Sequence, residues 1–361
     1  MLADVAGTVH AGVVHRLGEE LSAKFPINAG RSRERIAGFL EEGMALLTSN
    51  QIDLDGVPGL SMERIEACRL LAETDPRFRF IYRLPGSVGW GTAIGATIEA
   101  SVHGDSREDV RAVTGLMNAF MTLVDGMLDE APDVIAPHRP ALLDLVRQGA
   151  AGSDVAGEAL PDDHPCNYAC FLVGRLWING LGAVQPLPAY RPELGDAARR
   201  AMVDEYASST SRFDTNRLPD LAPLYGRTRW PLWTQALASI AHADWPERYD
   251  YGAFRDLILR IGDFAAFLDD VRDYMTDCAI GQWNTVSAAY FRRHSFACSS
   301  VEEIKERLLI ALAEDDFVSD MVTTGHEMRA GIEKAMAASR IEPGLMKDLI
   351  SDLVFDYLLS A

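Results

Sequence analysis

The segment GDFAAFLDDVRDYMTD, residues 262–277, places four aspartates directly after the apolar run FAAFL. Its apolar residues recur at three- and four-residue spacing, which predicts an α-helix. Asp269, Asp273 and Asp277 then fall at i, i+4 and i+8, so they form one acidic stripe about two turns long. Asp270 adds a fourth carboxylate at the edge of that stripe.

A second segment, MNAFMTLVDGMLDE at residues 117–130, has a similar pattern. Asp125 and Asp129 lie four residues apart, so their Cβ atoms are expected on one helix face at about 5–6 Å. Glu130 adjoins Asp129, and Met121 shares the face of Asp125. This segment is therefore a second acidic group at the end of an apolar helix.

Two interpretations of these acidic groups are open. Asp and Glu make up 53 of the 361 residues, so acidic pairs at helical spacing also arise by chance on solvated helix faces, where like charges cost little. However, both groups follow apolar runs typical of buried helices, in which several carboxylates repel one another unless cations neutralise them. Hard divalent cations suit oxygen ligands, and Mg²⁺ is the usual one where substrate phosphates complete the coordination shell.

Helical periodicity runs through most of the chain, for example in RERIAGFLEEGMALL, VRAVTGLMNAFMTLVDGML and VEEIKERLLIALAEDDFVSDMV. Period-two alternation with β-branched residues is scarce. Proline and glycine clusters divide the chain into roughly ten to twelve helices of ordinary length. No linker is long or soft enough to separate two domains. We therefore predict a single all-α domain over residues 1–361, in which the packing of about the first 60 residues is left undefined.

Composition restricts the class of partner. Lys and Arg number 34 against 53 Asp and Glu, which gives a formal net charge of −19. This charge argues against a protein that binds nucleic-acid phosphates or an anionic membrane surface. It does not exclude an anionic substrate, because divalent cations can reverse the sign of a local site.

The location of the protein is predicted from three further features. No run of 18 apolar residues occurs, so no membrane span is expected. Five cysteines without a CxxC motif are typical of a reduced protein. The N-terminus has no basic region ahead of its apolar stretch, which argues against a secretory signal. We therefore expect a cytoplasmic protein.

Two arginines, Arg227 and Arg229, precede a predicted helix break at Pro231 in YGRTRWPLW, residues 225–233. Taken alone, such a pair is typical of a protein surface. Beside metal ions and phosphate, a guanidinium group would bind phosphate oxygens bidentately.

Together these segments resemble the class I isoprenoid (terpenoid) synthases, all-α metal-dependent enzymes that ionise prenyl diphosphates. DGMLDE at residues 125–130 is similar to a reduced first motif of the DxxxD type. DDVRDYMTD at residues 269–277 is similar to the second motif of terpene cyclases, whose metal ligands at the first, fifth and ninth positions match Asp269, Asp273 and Asp277. The order of the two motifs and their separation of about 140 residues suit the family.

The sequence also departs from this family. The first motif lacks the paired aspartates of its commonest form. Asp273 stands where cyclases usually carry Ser or Thr, and Asp277 stands where Glu is usual. No Arg-Tyr pair occurs near the C-terminus, where the closest stretch is FDY at residues 355–357. RDYMTDCAIGQWNT at residues 272–285 resembles, in addition, a segment of squalene, phytoene and large-terpene synthases.

The resemblance implies a helical bundle around a central apolar cavity, with Mg²⁺ as cofactor and a prenyl diphosphate as substrate. Three Mg²⁺ ions would accompany the bound diphosphate. The implied metal ligands are Asp125, Asp129, Glu130, Asp269, Asp270, Asp273 and Asp277. Arg227 and Arg229 would stabilise the leaving diphosphate while the metal ions act as Lewis acids.

The implied cavity must hold an apolar chain and withstand a carbocation, which aromatic faces do through cation–π attraction. Each candidate also suits an ordinary protein core. The candidates are Phe120, Met121, Phe171, Trp177, Trp230, Phe264, Phe267, Trp283 and Tyr290. Small side chains at Gly262, Ala265 and Ala266, just before Asp269, favour a C15 or C20 substrate.

Three functions are open at this point. The leading interpretation is a class I terpene synthase that cyclises or rearranges a linear prenyl diphosphate. The first alternative is a prenyltransferase, of either the chain-elongating or the squalene/phytoene head-to-head type. The second alternative is a catalytically silent helical binding protein. The resemblance to this family also implies a homodimer.

Overall fold

A computed structural model describes residues 2–24, 29–48, 62–153, 160–294 and 296–359. Most of these residues are helical, and the described ranges contain no β-strand apart from one isolated bridge between Arg212 and Gln282. The predicted all-α class is thus confirmed. Among the described helices, none has the length and apolarity required to cross a bilayer.

The α-helices, numbered in chain order, have the following bounds: α1 Leu2–Lys24, α2 Ala29–Thr48, α3 Met62–Thr74, α4 Leu84–His103, α5 Glu108–Glu130, α6 Pro132–Ile135, α7 Arg139–Ala150, α8 Pro165–Val184, α9 Arg191–Ser209, α10 Leu221–Ile240, α11 Tyr251–Arg272, α12 Tyr274–Ile280, α13 Thr285–Arg293, α14 Val301–Ala311, α15 Asp315–Ser339 and α16 Pro343–Val354. Two 3₁₀ helices cover Pro76–Arg83 and Ala136–His138, and a π-helical turn covers Phe355–Leu359.

The chain divides into two compact units, each with its own core. Unit 1 comprises Met1–Glu34, Asp204–Arg229 and Asp250–Ala361. Unit 2 comprises Arg35–Val203 and Trp230–Tyr249. That residues 1–361 form a single domain stays a prediction.

In unit 1, α11 carries the acidic stretch of residues 269–277. The helix begins after Asp250, whose carboxylate accepts a hydrogen bond from the backbone N–H of Ala253 at 2.8 Å and so caps the helix. Its buried apolar residues recur three and four apart and pack against α15. They include Phe254, Leu257, Ile258, Ile261, Phe264 and Leu268. Burial of this stripe holds α11 in place.

The N-terminal helix α1 also belongs to unit 1. Leu17 and Leu21 are buried, and the helix packs against α15, α16 and the C-terminal π-helical turn. His10 Nε2 lies 2.7 Å from the carbonyl oxygen of Val271, near the end of α11. The packing that the sequence left undefined is thereby described for α1, whereas residues 25–28 and 49–61 lie outside the described residues.

A glycine in α11 allows the backbone of α10 to approach closely. A Cβ atom on Gly262 would lie 2.6 Å from Cα and 3.1 Å from the backbone nitrogen of Arg229. The backbone of α10 therefore fills the space beside Gly262, and Ala265 and Ala266 are buried. These small residues give no support to the expectation of a C15 or C20 chain.

In unit 2, α5 is held by close packing and by polar contacts. A Cβ atom on Gly115 would lie 2.8 Å from Oγ1 of Thr92 in α4, so the two helices meet at small side chains. Asn118 donates a hydrogen bond to the carbonyl oxygen of Ser87 at 2.7 Å, and Gln235 of α10 donates to Asn118 Oδ1 at 3.0 Å. These contacts fix the helix that carries the second acidic segment.

Substitution of Gly262 by Ala should lower the free energy of unfolding by about 1–3 kcal/mol, because the new Cβ meets backbone atoms that cannot rotate away. Gly252→Ala, in the first turn of the same helix, is the matched control. The nearest atom to its Cβ, Asp250 Oδ1, lies 3.4 Å away, so this change should stabilise by up to about 1 kcal/mol. Urea unfolding measures both, and equal stabilities would contradict the close approach of α10.

Candidate functional site

The acidic stretch of unit 1 lies at the junction of α11 and α12. The two helices end and begin on either side of Asp273, which has φ −92° and ψ 6°. The predicted helix over residues 262–277 is therefore wrong at one residue. The backbone N–H of Asp273 still donates to the carbonyl oxygen of Asp269 at 2.8 Å. The backbone N–H of Asp277 likewise donates to the carbonyl oxygen of Asp273 at 3.0 Å. The three aspartates thus remain one turn apart.

Two arginines cover the carboxylate of Asp269. Arg227 donates to Asp269 Oδ2 at 3.0 Å, and Arg272 donates to Asp269 Oδ1 at 2.7 Å. Arg272 also donates to both oxygens of Asp273, from Nε at 3.0 Å and from Nη2 at 3.2 Å. One guanidinium group therefore bridges two of the predicted metal ligands.

Asp270 makes an internal ion pair. Its carboxylate accepts from Arg227 at 2.5 Å and from the backbone N–H of Thr285 at 2.6 Å, and the residue is 1% exposed. Burial raises the pKa of this carboxyl group, and the charge of Arg227 opposes that rise. Because its two oxygens accept these hydrogen bonds, Asp270 ties α10, α11 and α13 together. Metal binding by Asp270 stays a prediction.

Asp277 lies at the start of α12, opposite the beginning of α13. Its Oδ2 accepts a hydrogen bond at 2.9 Å from Nδ2 of Asn284, which caps α13 by accepting from the backbone N–H of Ser287. Burial, and next the negative charge of Asp270, raise the pKa of Asp277 to about 8. Burial therefore disfavours the ionised form of this carboxylate.

Arg229 is paired outside the acidic stretch. Its Nε and Nη2 donate to the two oxygens of Asp263 at 2.6 and 2.8 Å, which is a bidentate arrangement. Burial raises the pKa of Asp263, and Arg229 counteracts the rise. Of the two arginines predicted from the sequence, the structure brings Arg227 into contact with the acidic stretch and pairs Arg229 with Asp263.

Four residues shape this site in addition to the site residues predicted from the sequence: Asp263, Arg272, Asn284 and Thr285. A helix-start signal was present in NTVS, because Asn284 and Ser287 form a reciprocal capping box. No local signal indicates that the N–H of Thr285 would bind Asp270, since that contact depends on how α13 folds back on α11.

The acidic segment of unit 2 lies at the C-terminal end of α5. Asp125 is half-buried, whereas Asp129 and Glu130 are exposed. A Cβ atom on Gly126, between the first two acids, would overlap the ring of Phe80. The glycine in DGMLDE is therefore required by packing inside unit 2.

The donor groups do not form a closed metal cage. Within the described ranges, no three His, Cys, Asp or Glu side chains lie together in an arrangement that could hold a metal ion as they stand. In unit 1, Arg227 pairs with Asp269, and Arg272 pairs with both Asp269 and Asp273.

The predicted cavity residues of unit 2 are Phe120, Met121, Phe171, Trp177 and Trp230. The rings of Phe120 and Trp177 stack at 5.9 Å in the core. The guanidinium of Arg200 lies 4.6 Å from the ring centre of Trp230. The other two side chains are buried. Their packing is that of an ordinary core, and a substrate-lining role for them stays a prediction.

The predicted cavity residues of unit 1 differ in their surroundings. Phe264 is buried in the core, and Trp283 packs edge-on against Phe213 at 4.6 Å. Phe267 and Tyr290 line a small pocket that is open to solvent. The remaining lining residues are Tyr225, Thr285, Val286, Ala289, Arg293, Phe317, Asp320, Met321 and Thr324.

Replacement of Asp270 by Ala should lower the free energy of unfolding by about 3 kcal/mol, because Arg227 loses its buried partner and the N–H of Thr285 loses its acceptor. Asp256→Ala on the same helix is the control, since Asp256 makes an exposed pair with Arg260. That change should stay within about 1 kcal/mol. Chemical denaturation checks both, and similar losses would contradict the structural role of Asp270.

Comparison with known proteins relates the chain to others by its fold. No protein-family model matches the sequence, and no curated protein matches it. Among solved structures, geranylgeranyl pyrophosphate synthase from Lactobacillus brevis matches over 94% of this chain and 98% of its own, with a TM-score of 0.53 and 12% identity. The same protein complexed with citrate gives a TM-score of 0.55 at 11% identity, with the same coverage.

Linalool/nerolidol synthase from Streptomyces clavuligerus, solved in complex with 2-fluorogeranyl diphosphate, is also similar. It gives a TM-score of 0.43 at 17% identity and covers 83% of this chain and 93% of its own. The Lactobacillus brevis protein is 12% identical to this chain and gives a TM-score of 0.53, so the comparison shows a shared fold and nothing finer. The chain has the all-α fold of the isoprenoid synthases.

Proposed function

We propose that the chain is a Mg²⁺-dependent class I terpene synthase, which ionises a linear prenyl diphosphate and rearranges or cyclises the resulting carbocation. The observation that carries the proposal is the contact of Arg227 with Asp269, at the first of three aspartates that remain one turn apart. A phosphate-binding side chain and a set of hard oxygen donors thereby occupy one end of α11.

The charges at this end of α11 fit a divalent cation. Four carboxylates, those of Asp269, Asp270, Asp273 and Asp277, lie with the two guanidinium groups of Arg227 and Arg272. With all groups ionised, the sum is 2 − 4 = −2. Burial, and next the charge of Asp270, raise the pKa of Asp277 to about 8, so that this carboxylate is held near other acidic groups at a cost. A bound divalent cation would offset the net negative charge.

We assign the metal-binding role to Asp269, Asp273 and Asp277. Asp270 is left out because it is only 1% exposed and its oxygens hold Arg227 and the backbone N–H of Thr285, whereas Asp269 and Asp273 are partly exposed. Mg²⁺ bound there would supply Lewis-acid stabilisation of the leaving diphosphate. Asp270 is a positioning residue, because its ion pair would orient the guanidinium of Arg227 toward the diphosphate.

A prenyltransferase is the second candidate function. The matching Lactobacillus brevis structure is named as a geranylgeranyl pyrophosphate synthase, and DDVRD at residues 269–273 is compatible with a chain-elongating enzyme. Against this, the segment DGMLDE at residues 125–130 has fewer aspartates than an elongating enzyme requires. The spacing of Asp269, Asp273 and Asp277 favours the terpene synthase.

Several expectations remain as parts of this proposal. They are metal binding by Asp125, Asp129 and Glu130, diphosphate contact by Arg229, three Mg²⁺ ions per diphosphate, a homodimer and a cytoplasmic location. Arg229 would have to leave Asp263 in order to reach a diphosphate.

A product assay tests the proposal. The full chain is incubated with Mg²⁺ and, separately, with C10, C15, C20 and C25 prenyl diphosphates, each with and without isopentenyl diphosphate, and organic extracts are analysed by gas chromatography–mass spectrometry. We expect a hydrocarbon or alcohol from one chain length without isopentenyl diphosphate, and none with EDTA. Asp273→Asn should reduce turnover about 100-fold or more. Asp256→Asn, on an exposed part of α11, is the matched control and should leave turnover unchanged.

Other results have defined meanings. A longer diphosphate that forms only with isopentenyl diphosphate would replace the terpene synthase by the prenyltransferase. Equal turnover by the Asp273 and Asp256 variants would contradict the assigned ligands. Untouched substrates with a folded protein would contradict both enzymes and favour the helical binding protein.

A further inference from the structure

The two arginines that cover Asp269 are held in different ways. Arg227 has a side chain that is 19% exposed, and it also binds Asp270, whose side chain is 2% exposed. Removal of Arg227 from this position would strand a buried carboxylate, which is strongly unfavourable. Arg227 is therefore a fixed part of the site.

Arg272 is held by more exposed partners. Its side chain is 36% exposed, and the carboxylates that it bridges, those of Asp269 and Asp273, are 22% and 44% exposed. These carboxylates are more exposed than that of Asp270, so water can solvate them when the arginine leaves. Arg272 is therefore easier to displace than Arg227, and a cation that binds both carboxylates must displace it.

An aromatic ring keeps the guanidinium of Arg272 near the site. The centre of the Tyr357 ring lies 4.7 Å from its Cζ atom. Tyr357 belongs to the C-terminal π-helical turn, which is anchored by the buried side chains of Phe355 and Leu358 and packs against α1 and α11. A ring face attracts a cation without accepting its strong hydrogen bonds, so the five N–H donors of the group stay available.

We propose that Arg272 is a displaceable counter-cation, which occupies the carboxylates of Asp269 and Asp273 in the metal-free protein and binds the diphosphate once a divalent cation has taken its place. Tyr357 is the positioning residue that retains the guanidinium group during this exchange. The inference rests on the proposed metal and diphosphate site. In this exchange Arg272 neutralises carboxylates in the metal-free protein and neutralises the diphosphate in the liganded protein.

The exchange predicts opposite effects on the two ligands. Arg272→Gln removes the competing cation, so Mg²⁺ alone should bind about tenfold more tightly. It also removes a phosphate ligand, so inorganic pyrophosphate at saturating Mg²⁺ should bind about tenfold more weakly, within the usual range of coupling between sites. A residue that only braced the junction of α11 and α12 would not produce this opposite pair of changes.

The measurement is isothermal titration calorimetry of the full chain, freed of metal, with Mg²⁺ alone and then with pyrophosphate at saturating Mg²⁺. Arg260→Gln is the matched control, because it removes the same charge from the same helix, and Arg260 pairs with the exposed Asp256. Arg272→Lys keeps a positive charge and should restore most of the weaker, wild-type Mg²⁺ affinity.

Variants of the ring test the second half of the exchange and keep the arginine intact. Tyr357→Leu should weaken pyrophosphate binding several-fold with Mg²⁺ affinity close to wild type, whereas Tyr357→Phe retains the ring and should behave as wild type. Circular dichroism and the unfolding midpoint establish that each variant is folded.

The outcomes separate this inference from the function on which it rests. If the wild type binds Mg²⁺ and pyrophosphate, but Arg272→Gln matches Arg260→Gln in both affinities, the inference is overturned and the proposed function stands. If neither the wild type nor Arg272→Gln binds Mg²⁺, the metal site is contradicted, and the inference fails with it.

Discussion

The candidate site depends on the buried ion pair between Arg227 and Asp270. Asp270 is 1% exposed, and its two oxygens hold a side chain of α10 and the first backbone N–H of α13 against α11. A buried charge of this kind is tolerated only when it is paired and fully hydrogen-bonded. The pair therefore fixes three helices at the end of α11, and it sets the guanidinium of Arg227 beside Asp269.

Backbone packing makes this pair possible. Gly262 has no side chain to separate α11 from α10, so the α10 backbone at Arg229 comes within reach of α11. The same approach places Arg229 against Asp263 and Arg227 against Asp269 and Asp270. One residue, Asp273, interrupts the helix, but its hydrogen bonds keep the aspartates at one-turn intervals. The fixed Arg227 and the displaceable Arg272 therefore share the carboxylates at this end of α11, so their charges act together.

Much of this arrangement could be predicted from the sequence, because it is local. Helical periodicity gave the all-α class, and the spacing of Asp269, Asp273 and Asp277 identified the acidic stretch. What the sequence could not supply depends on contacts between distant residues. Examples are the pairing of Arg229 with Asp263 and the burial of Asp270 under α13. Gly262 was interpreted as room for a substrate, although the structure fills that room with the backbone of another helix.

The central claim is that the end of α11 binds a divalent cation and a diphosphate together. The most direct measurement is the unfolding midpoint of the full chain with Mg²⁺ alone, with pyrophosphate alone and with both. We expect the largest rise when both are present, because each ligand that binds the folded state stabilises it, and a ligand at about 100 times its Kd does so by about 2.7 kcal/mol. An unchanged midpoint in all three conditions, with Asp273→Asn indistinguishable from the wild type, would contradict it.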